Sequence, residues 1–325
     1  MHAFDSIIPF LSDRLQKPGS AILIGSHARI PLKKESFQSI QPAIGPSLVF
    51  IDGGNGEILK GANVSVHFLR LYGTWYEGNV RVDRELRELF LVVLAYQKGI
   101  DLGFEATLFT MAGEELQKFS FDAFDPALSP ANQRVTPSIL ANHVRKLLEL
   151  RFAEEICSKN EILVLDGDLE ARGEVMENTL RNLKTAAQQK NTVVLGLSKT
   201  STLCTDSGNS ALLALKHMAP SGVWAYYAGS SVAFLKLHPH SNYIFRCDLF
   251  PHDRSSLPLA WSALAANAAD PAFLGYPYGL IDADKFAQVT KEEVEQLRAR
   301  FAVKAQDLFK VIESAVDAHD ILNSF

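Results

Sequence analysis

The chain has 325 residues, of which 47% are hydrophobic and 21% charged. This is ordinary globular composition, and it excludes a largely disordered chain, a collagen-like repeat and a disulfide scaffold, while the length suits one large domain or two ordinary ones. The net charge of −5 gives no overall positive field, so any contact with nucleic acid must come from a local basic groove.

The first expected strand is Ala21–Ile24. The second is the apolar run Leu48-Val49-Phe50-Ile51, which is expected to stop at Asp52-Gly53-Gly54. An apolar run bounded by glycines reads as a central strand buried on both faces. Val64–Trp75 suggests a third strand. Arg84–Lys98 fits two readings: Leu86, Leu89, Phe90, Val93 and Leu94 have helical spacing, but Leu91-Val92-Val93 suits a strand. Phe119–Pro137, rich in Asp, Ser, Pro and Asn, is expected to be an exposed linker or insertion.

A helix should follow Thr136-Pro137-Ser138, because Pro fits a first turn and Thr or Ser caps it. Its apolar face is Leu140, Val144, Leu147, Leu148 and Ile156. Glu161–Leu165 is another buried strand, ending at Asp166-Gly167-Asp168. A polar helix over 170–189 and a strand at Thr192–Leu197, ending at Ser198-Lys199-Thr200, come next. Further strands are expected at Gly222–Tyr227, Ser231–Leu237 and Tyr243–Leu249. The last third reads as helical: Leu257–Ala268, Asp282–Val289, and Lys291–Ala318 with Val294, Leu297, Phe301, Leu308, Ile312 and Ala315 on one stripe. Strands alternating with helices, then terminal helices, indicate an α/β protein with a mixed sheet.

Cys157, Cys204 and Cys247 form no C-x-x-C pair, which fits a reducing cytoplasm and argues against structural zinc. Met1–Phe10 is not expected to act as a signal peptide. No apolar run approaches the roughly 20 residues needed to span a membrane.

Asp52, Asp166 and Lys199 share one placement, at or just past the end of an apolar strand. Strand ends of an open α/β sheet are where ligands bind. Taken alone, each Asp-Gly is most often a turn. Two carboxylates brought together at neighbouring strand ends repel, and a divalent cation with a preference for hard oxygen ligands is the usual remedy. A lysine beside them offsets phosphate charge. A fourth cluster, Gly275-Tyr276-Pro277-Tyr278-Gly279, leads into a helix whose first turn is expected to hold Asp282 and Asp284, where the macrodipole favours acids.

These blocks, in this order, are recognisable. Leu48–Gly53, Ile162–Leu169, Val194–Thr200 and Gly275–Tyr278 resemble the motifs of NurA nucleases, in separated pieces over about residues 45–290. The resemblance implies an RNase H-like mixed sheet flanked by helices, a homodimer, and a manganese-dependent DNA nuclease. It further implies an exonuclease of 5′–3′ polarity, with single-strand endonuclease activity, acting with a hexameric HerA-type DNA translocase in resecting DNA ends. By that pattern Asp52 and Asp166 are metal ligands. A Glu on the preceding helix is a third, for which Glu149 is chosen while Glu154 and Glu155 stay open. Asp284 is the fourth, with Asp282 as its rival. Lys199 and Tyr276 match positions near the scissile phosphate. The chain departs from the family's Asp-Gly-Ser in both blocks, having Asp52-Gly53-Gly54 and Asp166-Gly167-Asp168. The missing serines affect hydrogen bonding around the ligands, and Asp168 is either a further ligand or a helix cap.

The mechanism implied holds two Mn²⁺ or Mg²⁺ ions, roughly 3.5–4 Å apart, on Asp52, Glu149, Asp166 and Asp284, with Lys199 steadying the phosphoryl oxygens. Tyr72, Trp75, Tyr76 and Tyr276 are candidates for stacking on bases, though the first three fit an amphipathic strand in a core or a dimer interface better. Arg70, Arg81 and Arg246 are candidate phosphate contacts. The expected organisation is an N-terminal segment 1–45, a nuclease domain 46–290 with an insertion near 100–135, and a C-terminal helix 291–325 packing on the domain or on a dimer partner. Two rival readings stand beside this one. Asp52-Gly53-Gly54-Asn55-Gly56 also resembles the first phosphate loop of actin-like and sugar-kinase ATPases, but no second such loop follows. A non-catalytic scaffold docking on a translocase is the other, and the retained carboxylates argue against it.

Overall fold

The computed structural model describes residues 3–15, 19–25, 28–129, 133–250 and 255–306. Helix α1 (Ala3–Leu15) and a separate two-stranded sheet, β1 (Ala21–Ile24) with β2 (Ala28–Pro31), precede the short strand β3 (Phe37–Ser39). Then come β4 (Leu48–Lys60), β5 (Val64–Glu77), β6 (Val80–Lys98), β7 (Asp101–Phe109) and β8 (Glu115–Asp122). The second half runs α2 (Pro137–Ile156), β9 (Ile162–Asp166), α3 (Glu174–Lys190), β10 (Val193–Ser198), α4 (Ala211–Met218), β11 (Trp224–Ala228), β12 (Val232–Lys236) and β13 (Phe245–Leu249). It ends with α5 (Leu257–Asn267), α6 (Tyr278–Ala287) and α7 (Lys291–Ala305). Among the described residues no helix is long and apolar enough to cross a membrane.

One 11-stranded mixed sheet, in the order β3-β11-β12-β13-β10-β9-β4-β5-β6-β7-β8, carries the fold. Its centre is parallel: β9 lies between β4 and β10 and runs parallel to both. The alternation of side chains along a strand sends Val49, Ile51, Leu163 and Leu165 to one face, where they meet Leu140, Val144 and Leu147 of α2 and Leu183 of α3. It sends Leu48, Phe50, Ile162 and Val164 to the other, against Trp261 and Leu264 of α5 and Leu280 and Ala283 of α6. Both faces are covered, which is why these strands read as unbroken apolar runs.

Three expectations about the sheet and α6 need correction, and one open reading, that of Arg84–Lys98, resolves. β4 does not stop at Asp52. It continues in antiparallel register with β5 through Gly53, Gly54 and Gly56 to Lys60. The glycines are there for close approach: a Cβ on Gly53 would lie 2.5 Å from Glu149 Oε1, and one on Gly54 only 1.8 Å from the Ala287 carbonyl oxygen. Arg84–Lys98 is strand, because pairing with β5 on one side and β7 on the other outweighs the helical spacing of its leucines. Phe119–Asp122 belongs to β8, paired with β7; β7 and β8 occupy much of the stretch 100–135. Finally, α6 starts at Tyr278, so Asp282 and Asp284 lie beyond its first turn and the macrodipole is not what places them there. The capped start of α2 is as expected, with Thr136 accepting from the Ile139 amide. α7 ends at Ala305 with Gln306 as its C-cap, short of the expected Ala318, and packs Leu297 and Phe301 on Ile58, Leu59, Val66 and Phe68. Leu308, Ile312 and Ala315 lie outside the described residues.

Candidate active site

The parallel register of β4 and β9 builds the site. Phe50 pairs with Val164 and Ile51 with Leu165, so the next residues, Asp52 and Asp166, come level on the face that α6 covers. There Asp284 joins them: one ligand oxygen from each of the three carboxylates lies within 4.8 Å of the others. Three elements far apart in sequence supply this cluster, and two of them are rigid strands at the centre of the sheet.

Lys199, one residue past β10, closes the cluster. Its Nζ donates to Asp166 Oδ2 at 2.7 Å and to Asp284 Oδ1 at 3.0 Å, and it lies over the Tyr276 ring at 5.3 Å. Tyr276 donates its hydroxyl to the other Asp166 oxygen at 3.2 Å. Burial, aided by the nearby Asp166 carboxylate, pushes that phenol far above the usual range, so it stays a donor. The ring is wholly buried and presents no face on which a base can stack.

Burial and neighbouring charges act strongly on Asp52. Desolvation, then the charges of Glu149 and Asp166, push its pKa up to about 7, against the opposing Gly53 amide and Arg145. Crowded carboxylates that resist ionising together can be relieved by a cation or a shared proton.

Glu149 lies on the far side of β4, beneath Gly53, and is 2% exposed. Arg145 holds its Oε1, and Lys146 Nζ stands 3.6 Å from its Oε2. It lines the same cleft as the three aspartates but is not one of the converging group. Glu155, its neighbour on α2, pairs with Arg87 at the surface. Asp282 faces away from the cluster: Tyr76 and Thr74 donate to its Oδ2 at 3.0 and 3.3 Å, and Arg81 pairs with it at 3.1 Å. Asp168 accepts from the Glu170 amide at 3.2 Å in a local turn; the helix that follows is capped at Gly173.

The structure does not bring Arg70, Arg81 or Arg246 to the cleft. Arg70 is held by Glu88, Glu293 and the Gln288 carbonyl, Arg81 by Asp282, and Arg246 by Asp248 and Glu170 at 2.7 Å each. Tyr72 and Tyr76 are core residues, 2% exposed, and Trp75 packs on the α2 side of the sheet.

Sequence reasoning missed two groups. Asp248, buried on β13, accepts from the Leu169 amide at 3.1 Å and so pins the loop that follows Asp166; no sequence motif marks it. Asn142, Arg145 and Lys146 line the cleft, a space of about 740 Å³, with Glu149. Their spacing of three, four and seven residues along a helix puts them on one stripe, and that signal was available once the helix was placed.

No protein-family model and no curated protein matches the chain in sequence. Among solved structures, the NurA nuclease from Sulfolobus solfataricus is similar over 94% of this chain and 96% of its own, with 12% identity and a TM-score of 0.50. The catalytic domain of human Endonuclease V is similar over 83% of this chain and 93% of its own, with 15% identity and a TM-score of 0.36. Argonaute from A. aeolicus is similar over 77% of this chain and 29% of its own, with 10% identity and a TM-score of 0.31. At these identities the likeness is one of fold: the chain has an RNase H-like mixed sheet flanked by helices, and its architecture is similar to that of NurA over nearly its whole length.

Proposed function

We propose that this protein is a divalent-metal-dependent DNA nuclease, a phosphodiester hydrolase of NurA type. The observation that carries the reading is the convergence of Asp52, Asp166 and Asp284 within 4.8 Å at the edge of an open polar cleft. Three carboxylates so close, with a lysine ammonium lodged between two of them, have the charge and the hard oxygen donors that Mn²⁺ or Mg²⁺ requires.

Asp52, Asp166 and Asp284 would hold the metal, with Glu149 as a fourth carboxylate once Lys146 yields its Oε2. Two bound ions would supply hydroxide at neutral pH and offset charge on the leaving 3′ oxygen. Tyr276 orients Asp166 by donating to Oδ1, leaving Oδ2 free to change partners. Lys199 leaves Asp166 and Asp284 and turns to the phosphoryl oxygens, where a fixed positive charge stabilises the transition state. Gly53 and Gly54, having no side chains, keep α2 and α6 close enough for their acids to reach the site.

By the same resemblance, the enzyme acts from 5′ ends, cuts single strands internally, forms a homodimer and works in the cytoplasm with a HerA-type translocase in DNA end resection and repair. Incubation of the purified protein with 5′- and 3′-labelled DNA in Mn²⁺, Mg²⁺ or EDTA, with and without such a translocase, tests this. The expected result is cleavage in a divalent metal, none in EDTA, and early release of the 5′ label. Cleavage that survives EDTA contradicts the metal site, and first release of the 3′ label contradicts the polarity. ATP hydrolysis by the isolated chain would favour the actin-like reading instead.

A further inference from the structure

Among the residues lining the cleft, carboxylates outnumber the three cations Arg145, Lys146 and Arg172. A polyanion therefore meets net repulsion there unless the few cations are well placed. The three arginines singled out in the sequence are already neutralised by partners elsewhere. Beside the cleft, Lys199 adds a further cation, so that positive charge flanks Asp166 on two sides. Lys199 Nζ touches its carboxylate at 2.7 Å from one side. From the other side Lys146 Nζ stands 3.5 Å from its main-chain carbonyl oxygen.

The Lys146 contacts are long, 3.5 Å to that carbonyl and 3.6 Å to Glu149, so its ammonium is lightly held and can turn outward. Arg145 differs: it donates to the Gly53 carbonyl at 2.6 Å and pairs with Glu149, which ties it to the wall. Arg172, in the loop before α3, is exposed and forms no ion pair among the described residues. Its charge reaches His143 on α2, whose protonation is disfavoured by burial and by Arg172, against Asp125. Arg172 therefore stands close to the outer end of the Asn142–Glu149 stripe, and Lys146 close to the acidic cluster.

We propose that Lys146 and Arg172 form a phosphate track along the α2 wall, binding successive phosphodiesters of the substrate strand as it enters the acidic cluster. This rests on the nuclease reading above and names the side from which the strand is held. A phosphate over Asp166 lies between Lys146 and Lys199, and the next one out meets Arg172. These contacts are to the backbone, so they position the strand without reading its bases.

The test is binding of a fluorescein-labelled single-stranded oligodeoxynucleotide of mixed sequence, with its ribonucleotide counterpart as a second arm. Anisotropy is measured in Ca²⁺ over a salt series for the wild type, Lys146→Ala, Arg172→Ala and Arg172→Glu. Each alanine variant is expected to weaken binding roughly tenfold and to flatten the salt dependence by about 0.7–1 in log–log slope, with Arg172→Glu weaker still. The melting temperature of the Arg172 variants should not move, because Arg172 is exposed and forms no ion pair among the described residues. A slope change with either polymer supports a backbone contact. Unchanged affinity and slope in both Lys146→Ala and Arg172→Glu, with a wild type that binds, overturns the track and leaves the nuclease reading standing. A wild type that binds neither polymer overturns both.

Discussion

Lys199 Nζ lies 2.7 Å from Asp166 Oδ2 and, through the same ammonium, 3.0 Å from Asp284 Oδ1. It thus occupies the kind of position a divalent cation takes, bridging carboxylates from two separate elements. In the free protein this single charge offsets part of the repulsion within the cluster.

Lys199 and a metal therefore compete. Lys199→Met should tighten Mn²⁺ binding in the absence of DNA while lowering the cleavage rate. The side chain is 38% exposed, so each screened pair contributes only about 0.2–1 kcal/mol, and the gain should be roughly two- to tenfold. Isothermal titration with Mn²⁺ checks this; an unchanged or weaker affinity would show that the ammonium does not hold the metal's place.

Asp52 makes the metal-free protein sensitive to pH. Its folded pKa of about 7 lies above the ordinary 3.8, so between those values the folded state binds more protons than the unfolded one. Stability falls as pH rises through that window, and the cost is complete above pH 7. Asp52→Asn removes it. The variant should be more stable than the wild type at pH 8, by on the order of 2–4 kcal/mol, and no more stable near pH 4. Added Mn²⁺ should stabilise the wild type and not the variant. Urea denaturation at the two pH values decides the matter; a gain independent of pH would contradict the assigned cause.

Gly54 sets how closely α6 approaches β4. A methyl group there meets the Ala287 carbonyl oxygen at 1.8 Å, so Gly54→Ala must push the end of α6 outward and carry Asp284 with it. Overpacking of this kind costs about 1–3 kcal/mol. Thermal denaturation should show that loss, and Mn²⁺ titration a larger proportional loss of affinity. Wild-type metal affinity in a destabilised Gly54→Ala protein would separate α6 from the metal site.

The parts of the fold that could be read from sequence are those where local chemistry and tertiary context agree. Thr136-Pro137 caps α2 by a purely local hydrogen bond, and the runs at 48–51 and 162–165 are apolar because both sheet faces are covered. Asp52-Gly53-Gly54 misled because glycine after an aspartate signals a turn, whereas here it admits Glu149 and Ala287 from the two faces of a continuing strand. β6 stayed open between helix and strand because its leucine spacing is local, whereas the pairing with β5 and β7 that decides it is not. The site was legible to the level of candidates. Helical spacing could not separate Glu149 from Glu154 and Glu155, nor Asp284 from Asp282, since which face of α2 or α6 meets the sheet is decided by packing. The role of Asp248 depends on a contact 79 positions away in the chain, which no local pattern encodes.

Asp248, which pins the loop after Asp166, is itself held by Arg246. Arg246 and Asp248 have side chains 10% and 8% exposed and pair at 2.7 Å. Removing one partner leaves the other charge buried, a loss of about 3–5 kcal/mol. Arg246→Ala should therefore destabilise strongly, and adding Asp248→Asn should recover part of the loss. Equilibrium unfolding of the two variants checks the coupling; additive losses would contradict it.

The most direct test of the metal-dependent site is single-turnover cleavage of end-labelled DNA in Mn²⁺ by the wild type, Asp52→Ala and Asp166→Ala, with circular dichroism as the control for folding. The wild type should cleave, and both folded variants should lose cleavage. Retention of more than a few per cent of wild-type activity in both would contradict it.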